Sequence, residues 1–239
     1  TSFAVALSYS DPTTGEKLLE GLIQGSNTFC VPIVRGHTNP ASESTYVVGS
    51  ATGTVVKNNL LTAGGAKSGD HLVLLYDPQG QRGASYKLGW DSVTGRDADA
   101  VVKRLSIMNE LAETHLITAA KDVSVAGVVG TAGMLLEYSE RGGAIDLRAL
   151  DGIRPSSIEL EDWIRMFISL GFLVSVPQKN FKKVTEIAKK HEVKATIIGE
   201  VDDSASLRLL LDGEESIMFD FSEGPVLTPR GSSGVQKPS

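Results

Sequence analysis

Cysteine is almost missing from this 239-residue sequence. A single Cys30 closes no internal disulfide and builds no thiolate metal cage, so the chain reads as a soluble protein of a reducing compartment, the cytoplasm. Histidine is scarce as well, and His71, His115 and His191 share no metal-ligand spacing, which argues against zinc. No apolar run approaches the roughly 20 residues of a membrane helix, and no signal-peptide flank precedes the strand-like Phe3 to Tyr9. Excess positive charge is lacking too: 23 Lys and Arg stand against 29 Asp and Glu, a net charge of −6. That excludes a broad phosphate-backbone surface, and with it nucleic acid as the expected partner. Neither GxxxxGK[ST] nor a post-strand GxGxxG occurs, so the common nucleotide fingerprints are absent.

What is present suits an ordinary globular protein, with 41% apolar and 22% charged residues. Glycine is in excess at 25 residues, which favours tight strand-to-helix turns. Strand-like and helix-like periods alternate along the chain, so the expected class is mixed α/β. Phe3 to Tyr9, a helix over Glu16 to Phe29 and the run Val31 to Val34 form a βαβ-like unit whose strand pairing the sequence leaves open. Tyr46 to Val56 follows as a strand. The small-residue stretch Leu61 to Asp70 (LTAGGAKSGD) reads as a connector, giving expected domains at 1–60 and 71–225 and a disordered tail at 226–239.

In the second part the strands are His71 to Tyr76, Leu116 to Ala120, Ala144 to Leu147, Phe172 to Val176, Ala195 to Val201, Leu207 to Leu211 and Ser216 to Phe221. Asp212-Gly213-Glu214 is a hairpin turn between the last two. The helices are Arg96 to Thr114, Ala126 to Ser139, Ser157 to Phe167 and Lys179 to Lys190. Trp163 spaced with Phe167 suggests core, Lys182, Lys183, Lys189 and Lys190 a solvated face, and Cys30 an inert buried thiol.

Three constellations could carry chemistry. In Ala119 to Gly130 (AAKDVSVAGVVG) a strand ends in Lys121 and Asp122, and a turn through Ser124 and Gly127 enters a helix. Amides of that first turn attract an anion, Lys121 adds positive charge, and Asp122 could hold a metal or take a proton. Alternatively, Asp122 or Ser124 caps the helix and Lys121 is solvated. Gly36, His37, Thr38 and Asn39 form a polar turn after a strand, where His37 and Thr38 could contact phosphate or position a water. Trp90, Asp91 and Ser92 lie in a long loop and suit either ligand contact or a hydrophobic anchor with a helix cap.

Taken in order, these segments resemble the aminoimidazole-ribonucleotide-synthetase-related, PurM-like superfamily. Leu116 to Leu147 is similar to its strand–HDVSDGGL–helix–strand signature, and Val34 to Thr38 to its GG[EDH]T turn. Gly49 to Asp70 resembles the interdomain crossing, and Ala195 to Val201 the late IGEV strand. Trp90 to Thr94 (WDSVT), Lys121-Asp122 and Phe167 to Phe172 (FISLGF) look most like a synthase-related subgroup near methanogenesis marker 2. The resemblance implies a two-domain fold, a partial barrel-forming N-terminal domain and an α/β C-terminal domain. It further implies homodimerisation through the N-terminal domain, and ATP with Mg²⁺ in a cleft between the domains.

The implied activity is an ATP-dependent small-molecule synthetase or kinase, with a non-catalytic ligand-binding member as the alternative. Asp122, Lys121 and His37 would be the catalytic candidates, Asp122 the metal candidate. Gly36, Thr38, Asn39, Trp90, Asp91, Ser92, Ser124 and Gly127 would contact phosphate or substrate. The family's glycine-rich segment and metal-binding aspartates would precede Phe3, so the chain by itself is expected to hold ATP weakly. Lys121 replaces the signature's histidine and Val125 its second aspartate.

Overall fold

The computed structural model describes residues 1–228. It divides into two units, Thr1–Asn58 with Ala98–Val102, and Asn59–Asp97 with the chain from Lys103 onward.

The first unit contains β1 (Ser2–Tyr9), α1 (Pro12–Phe29), β2 (Ile33–Pro40) and β3 (Tyr46–Thr52). Local chemistry starts the helix: the Asp11 carboxylate accepts from the Thr14 amide at 2.9 Å and its hydroxyl at 2.7 Å, and Pro12 stands in the first turn. The helix ends at Cys30, in the left-handed region at φ 51°. Cys30 is exposed there, which corrects the expectation of a buried thiol. β1 is the central strand, parallel to β2 and antiparallel to β3, so the βαβ strands are indeed neighbours. Its Val5 and Leu7 are buried.

The polar run Gly36–Asn39 is not a turn. Val5, Ala6, Leu7 and Ser8 of β1 face Gly36, His37, Thr38 and Asn39 in parallel register, so β2 continues to Pro40. Backbone pairing along the whole of β1 keeps this stretch extended.

The second unit opens with β4 (Asp70–Tyr76), β5 (Gln81–Arg82) and β6 (Gly89–Asp91). Then come α2 (Ala98–Leu105), whose residues Ala98–Val102 belong to the first unit, α3 (Ile107–Thr114), β7 (Ala119–Asp122), α4 (Gly127–Tyr138), β8 (Gly142–Asp146) and α5 (Leu147–Asp151). The chain continues through α6 (Leu160–Arg165), β9 (Phe167–Ile168), β10 (Phe172–Pro177), α7 (Phe181–Lys190), β11 (Lys194–Asp202), β12 (Ser206–Leu211) and β13 (Glu214–Asp220). Seven strands form one mixed sheet in the order β13-β12-β8-β11-β4-β10-β7, and β5-β6-β9 form a small second sheet. The mixed α/β class holds.

Both faces of the large sheet are covered. Alternation along β4 sends Leu72, Leu74 and Tyr76 into a core with Leu135 and Leu136 of α4, Leu150 of α5 and Trp163 of α6. Val73 and Leu75 point the other way, onto Ile107 and Leu111 of α3 and Val184 and Ala188 of α7. Trp163 is fully buried, and the four lysines of α7 are exposed. Asp212 and Gly213 both have positive φ and close the β12–β13 hairpin.

The segment Arg96 to Thr114 is two helices rather than one. Ser106 breaks it, its hydroxyl donating to Lys103 O at 2.8 Å in competition with the helical ladder. The Ala144 to Leu147 strand stops at Asp146, whose carboxylate accepts from the Arg148 amide at 2.8 Å and caps α5. The helix expected over Ser157 to Phe167 is confined to α6, because Phe167 and Ile168 pair with β6. The connector packs on the second unit: Ser139 Oγ accepts from the Gly65 and Ala66 amides at 3.1 and 3.0 Å. Of the tail expected to be disordered, Val226, Leu227 and Thr228 are held by Glu137. Residues 229–239 lie outside the described residues.

Candidate functional site

Strands β4, β7, β8 and β12 run in one direction, antiparallel to β10 and β11, so their carboxyl ends share one edge of the sheet. Loops beyond such an edge are where α/β proteins form sites. Lys121 and Asp122 are the last residues of β7, not turn residues, since Leu173 and Phe172 of β10 pair with them. Lys121 Nζ forms an ion pair with the Asp122 carboxylate. The Asp122 side chain is 60% exposed and that of Lys121 27%.

Neither Asp122 nor Ser124 caps α4, which begins after Ala126 without a side-chain cap. The capping alternative is therefore set aside, and the Asp122 carboxylate is engaged by Lys121 instead. Gly127 sits at φ +66°, and a Cβ there would lie 2.6 Å from the Arg165 backbone. Only glycine permits both the left-handed backbone and that approach. Val125 is exposed at the same turn.

Trp90 is 4% exposed, and its indole meets Trp163 edge-on with centroids 5.7 Å apart. Its Nε1 donates to Asp77 O at 2.8 Å. It is thus an anchor of the core with no polar atom to spare, which corrects its assignment to ligand contact. Asp91 accepts from the Val93 and Thr94 amides at 2.9 and 3.0 Å in an Asx turn, well before α2. Burial pushes its carboxyl up, but bonds from Thr94 and Val93, with the Arg96 charge, outweigh this and hold it below the ordinary aspartate value. Ser92 is fully buried.

The segment Arg165–Gly171 brings these two constellations together, a role that local reading of the sequence missed. The Ser92 amide donates to Ser169 Oγ at 2.7 Å, and the Ser169 amide to Trp90 O at 3.0 Å. On the other side, the Ile168 amide donates to Val123 O at 3.2 Å and the Val123 amide to Gly171 O at 2.9 Å. A signal was present in Leu170-Gly171, where Leu170 has φ 57°. Asp77 and Arg104, both buried behind Trp90, were also missed. Gly36, His37, Thr38 and Asn39 lie exposed on β2 in the first unit.

Among the described residues no group of three His, Cys, Asp or Glu side chains could hold a metal. Asp122, the expected metal carboxylate, is exposed and paired with Lys121. No helix among the described residues is long and apolar enough to cross a membrane.

Residues 67–212 match the AIR synthase related protein, C-terminal domain family. The chain belongs to the AIR synthase related family. A protein of Methanocaldococcus jannaschii is 33% identical over 218 residues, covering 91% of this chain and 66% of that protein. This AIR synthase related chain therefore spans about two thirds of that relative's length. Among solved structures, Thermotoga maritima PurL complexed with ADP superposes with a TM-score of 0.70 at 20% identity, over 92% of this chain and 36% of PurL. Escherichia coli HypE, a hydrogenase maturation protein, gives 0.69 at 17% identity, over 96% of this chain and 74% of HypE. Both likenesses are of fold.

Proposed function

We propose that the protein containing this chain is an ATP-dependent synthetase or kinase acting on a small molecule. The observation that carries the reading is Lys121-Asp122 at the carboxyl edge of β7, beside an α4 N-terminus that no side chain caps. Amides of that first turn attract a phosphate oxygen, and Lys121 adds a compact positive charge. Asp122 would either hold a Mg²⁺, which would neutralise phosphate charge, or take a proton from the attacking group. Membership of the AIR synthase related family and the ADP-bound PurL of like fold support the choice of nucleotide.

His37, Thr38, Asn39 and Gly36 are proposed to contact phosphate from β2. Asp91 and Ser124 are proposed as further polar positions for the substrate. A homodimer through the first unit fits the exposed Tyr46, Val47 and Val48 of β3.

A second reading rests on Val125, an exposed apolar residue where the resembled signature carries an aspartate. It makes the protein a nucleotide-binding member without turnover. Calorimetric titration of MgATP into the longer protein, together with phosphate release over a metabolite panel, separates the two readings. We expect binding, and a loss of turnover of roughly 10²-fold or more in Asp122→Asn. Binding with no release favours the second reading, and absence of binding sinks both.

A further inference from the structure

Behind Trp90, three side chains form a buried polar node that the proposed site does not use. Asp77 is 1% exposed, Ser92 0% and Arg104 5%. Asp77 Oδ2, Ser92 Oγ, Arg104 Nε and Arg104 Nη1 find no hydrogen-bond partner among the described residues. The other polar atoms nearby are engaged. Asp77 Oδ1 accepts from the Gln79 amide at 2.9 Å, Asp77 O takes the Trp90 indole, and Arg104 Nη2 reaches Glu192 at 3.4 Å.

Arg104 Nε stands 3.8 Å from Asp77 Oδ2, too far for a direct hydrogen bond. Ser92 Oγ faces the same Asp77–Gly80 turn: a Cβ on Gly80 would lie 3.0 Å from it and 2.4 Å from Trp90 Nε1. Leaving such groups unmatched carries the full cost of their desolvation.

We propose that Asp77, Ser92 and Arg104 hold an ordered internal water that ties the turn after β4 to Arg104 and to the Trp90–Ser92 strand end. The chemistry selects the ligand. The facing carboxylate and guanidinium cancel in net charge, so the node favours a neutral occupant that both accepts and donates. Water does so at two to four points, and three of the four unmatched atoms serve it here. It accepts from Arg104 Nε, donates to Asp77 Oδ2 and bonds the Ser92 hydroxyl.

The direct test is a crystal structure of the protein at a resolution that shows ordered solvent. A solvent peak within hydrogen-bond reach of all three groups is the expected result. Arg104 moved into direct contact with Asp77, a metal or anion at the node, or a peak that misses Ser92 overturns it. In solution, Ser92→Ala removes one anchor while keeping the fold. The Trp90 indole N–H should then exchange with solvent roughly fivefold to tenfold faster, the effect of one ordinary hydrogen bond. Unchanged exchange would reject the three-point site, whatever the protein's activity proves to be.

Discussion

Gly127 backs onto Arg165 so closely that the main chain of one replaces the side chain of the other. This contact seats the N-terminus of α4 against the end of α6, and it fixes where the Ser124–Gly127 turn stands relative to β7. A methyl group at Gly127 must meet the Arg165 backbone, and its φ of +66° adds a penalty of its own. Left-handed backbone alone costs about 1–2 kcal/mol for an L-residue. Gly127→Ala is therefore expected to lower stability by more than that, read as a fall in the urea midpoint. An unchanged midpoint would mean that the turn relaxes freely.

The Glu137 carboxylate, in the last turn of α4, accepts from the successive amides of Val226, Leu227 and Thr228. Partial burial pushes its carboxyl up, and the Thr228 hydroxyl with the three amides outweighs that and holds it below the ordinary glutamate value. A depressed folded value means that the contribution is complete above the unfolded value of about 4.3 and is lost as pH falls through the depressed one. Amide exchange at Leu227 and Thr228 should accordingly lose protection on acidification below the ordinary glutamate value. In Glu137→Gln that pH dependence should vanish, and its persistence would point to another carboxylate.

His191 joins α7 to α3. Its Nε2 lies 2.7 Å from Glu110 Oε2, while Nδ1 lies 2.7 Å from Lys103 O and 3.2 Å from Ser106 Oγ. The ring is 7% exposed, so water does not replace these partners readily. His191→Leu should cost about 1–3 kcal/mol in a denaturant titration, with His191→Gln recovering part of it. If Leu and Gln behave alike, the ring contributes packing alone.

Several elements were legible because their causes are local. The Asp212-Gly213 pair announces the last hairpin and the unbroken apolar run after His71 announces a strand, whereas α1 starts at Pro12, four residues before the expected Glu16. The Lys121-Asp122 end of a strand leading into a glycine-containing helix start was legible for the same reason. Composition and periodicity alone were enough for the α/β class.

Other features were decided by partners remote in the chain. Gly36–Asn39 look like a turn by residue type, yet β1 supplies hydrogen bonds along their whole length and draws them into β2. Trp90 and Ser169, 79 residues apart, bond to each other, and through Arg165–Gly171 the two polar constellations of the second unit come to one edge. Burial turned Trp90 from a ligand candidate into a core anchor, and exposure takes Cys30 out of the core. A sequence carries the propensity of each residue, whereas the choice among its possible partners is made by backbone pairing and close packing, which exist only once the chain has folded.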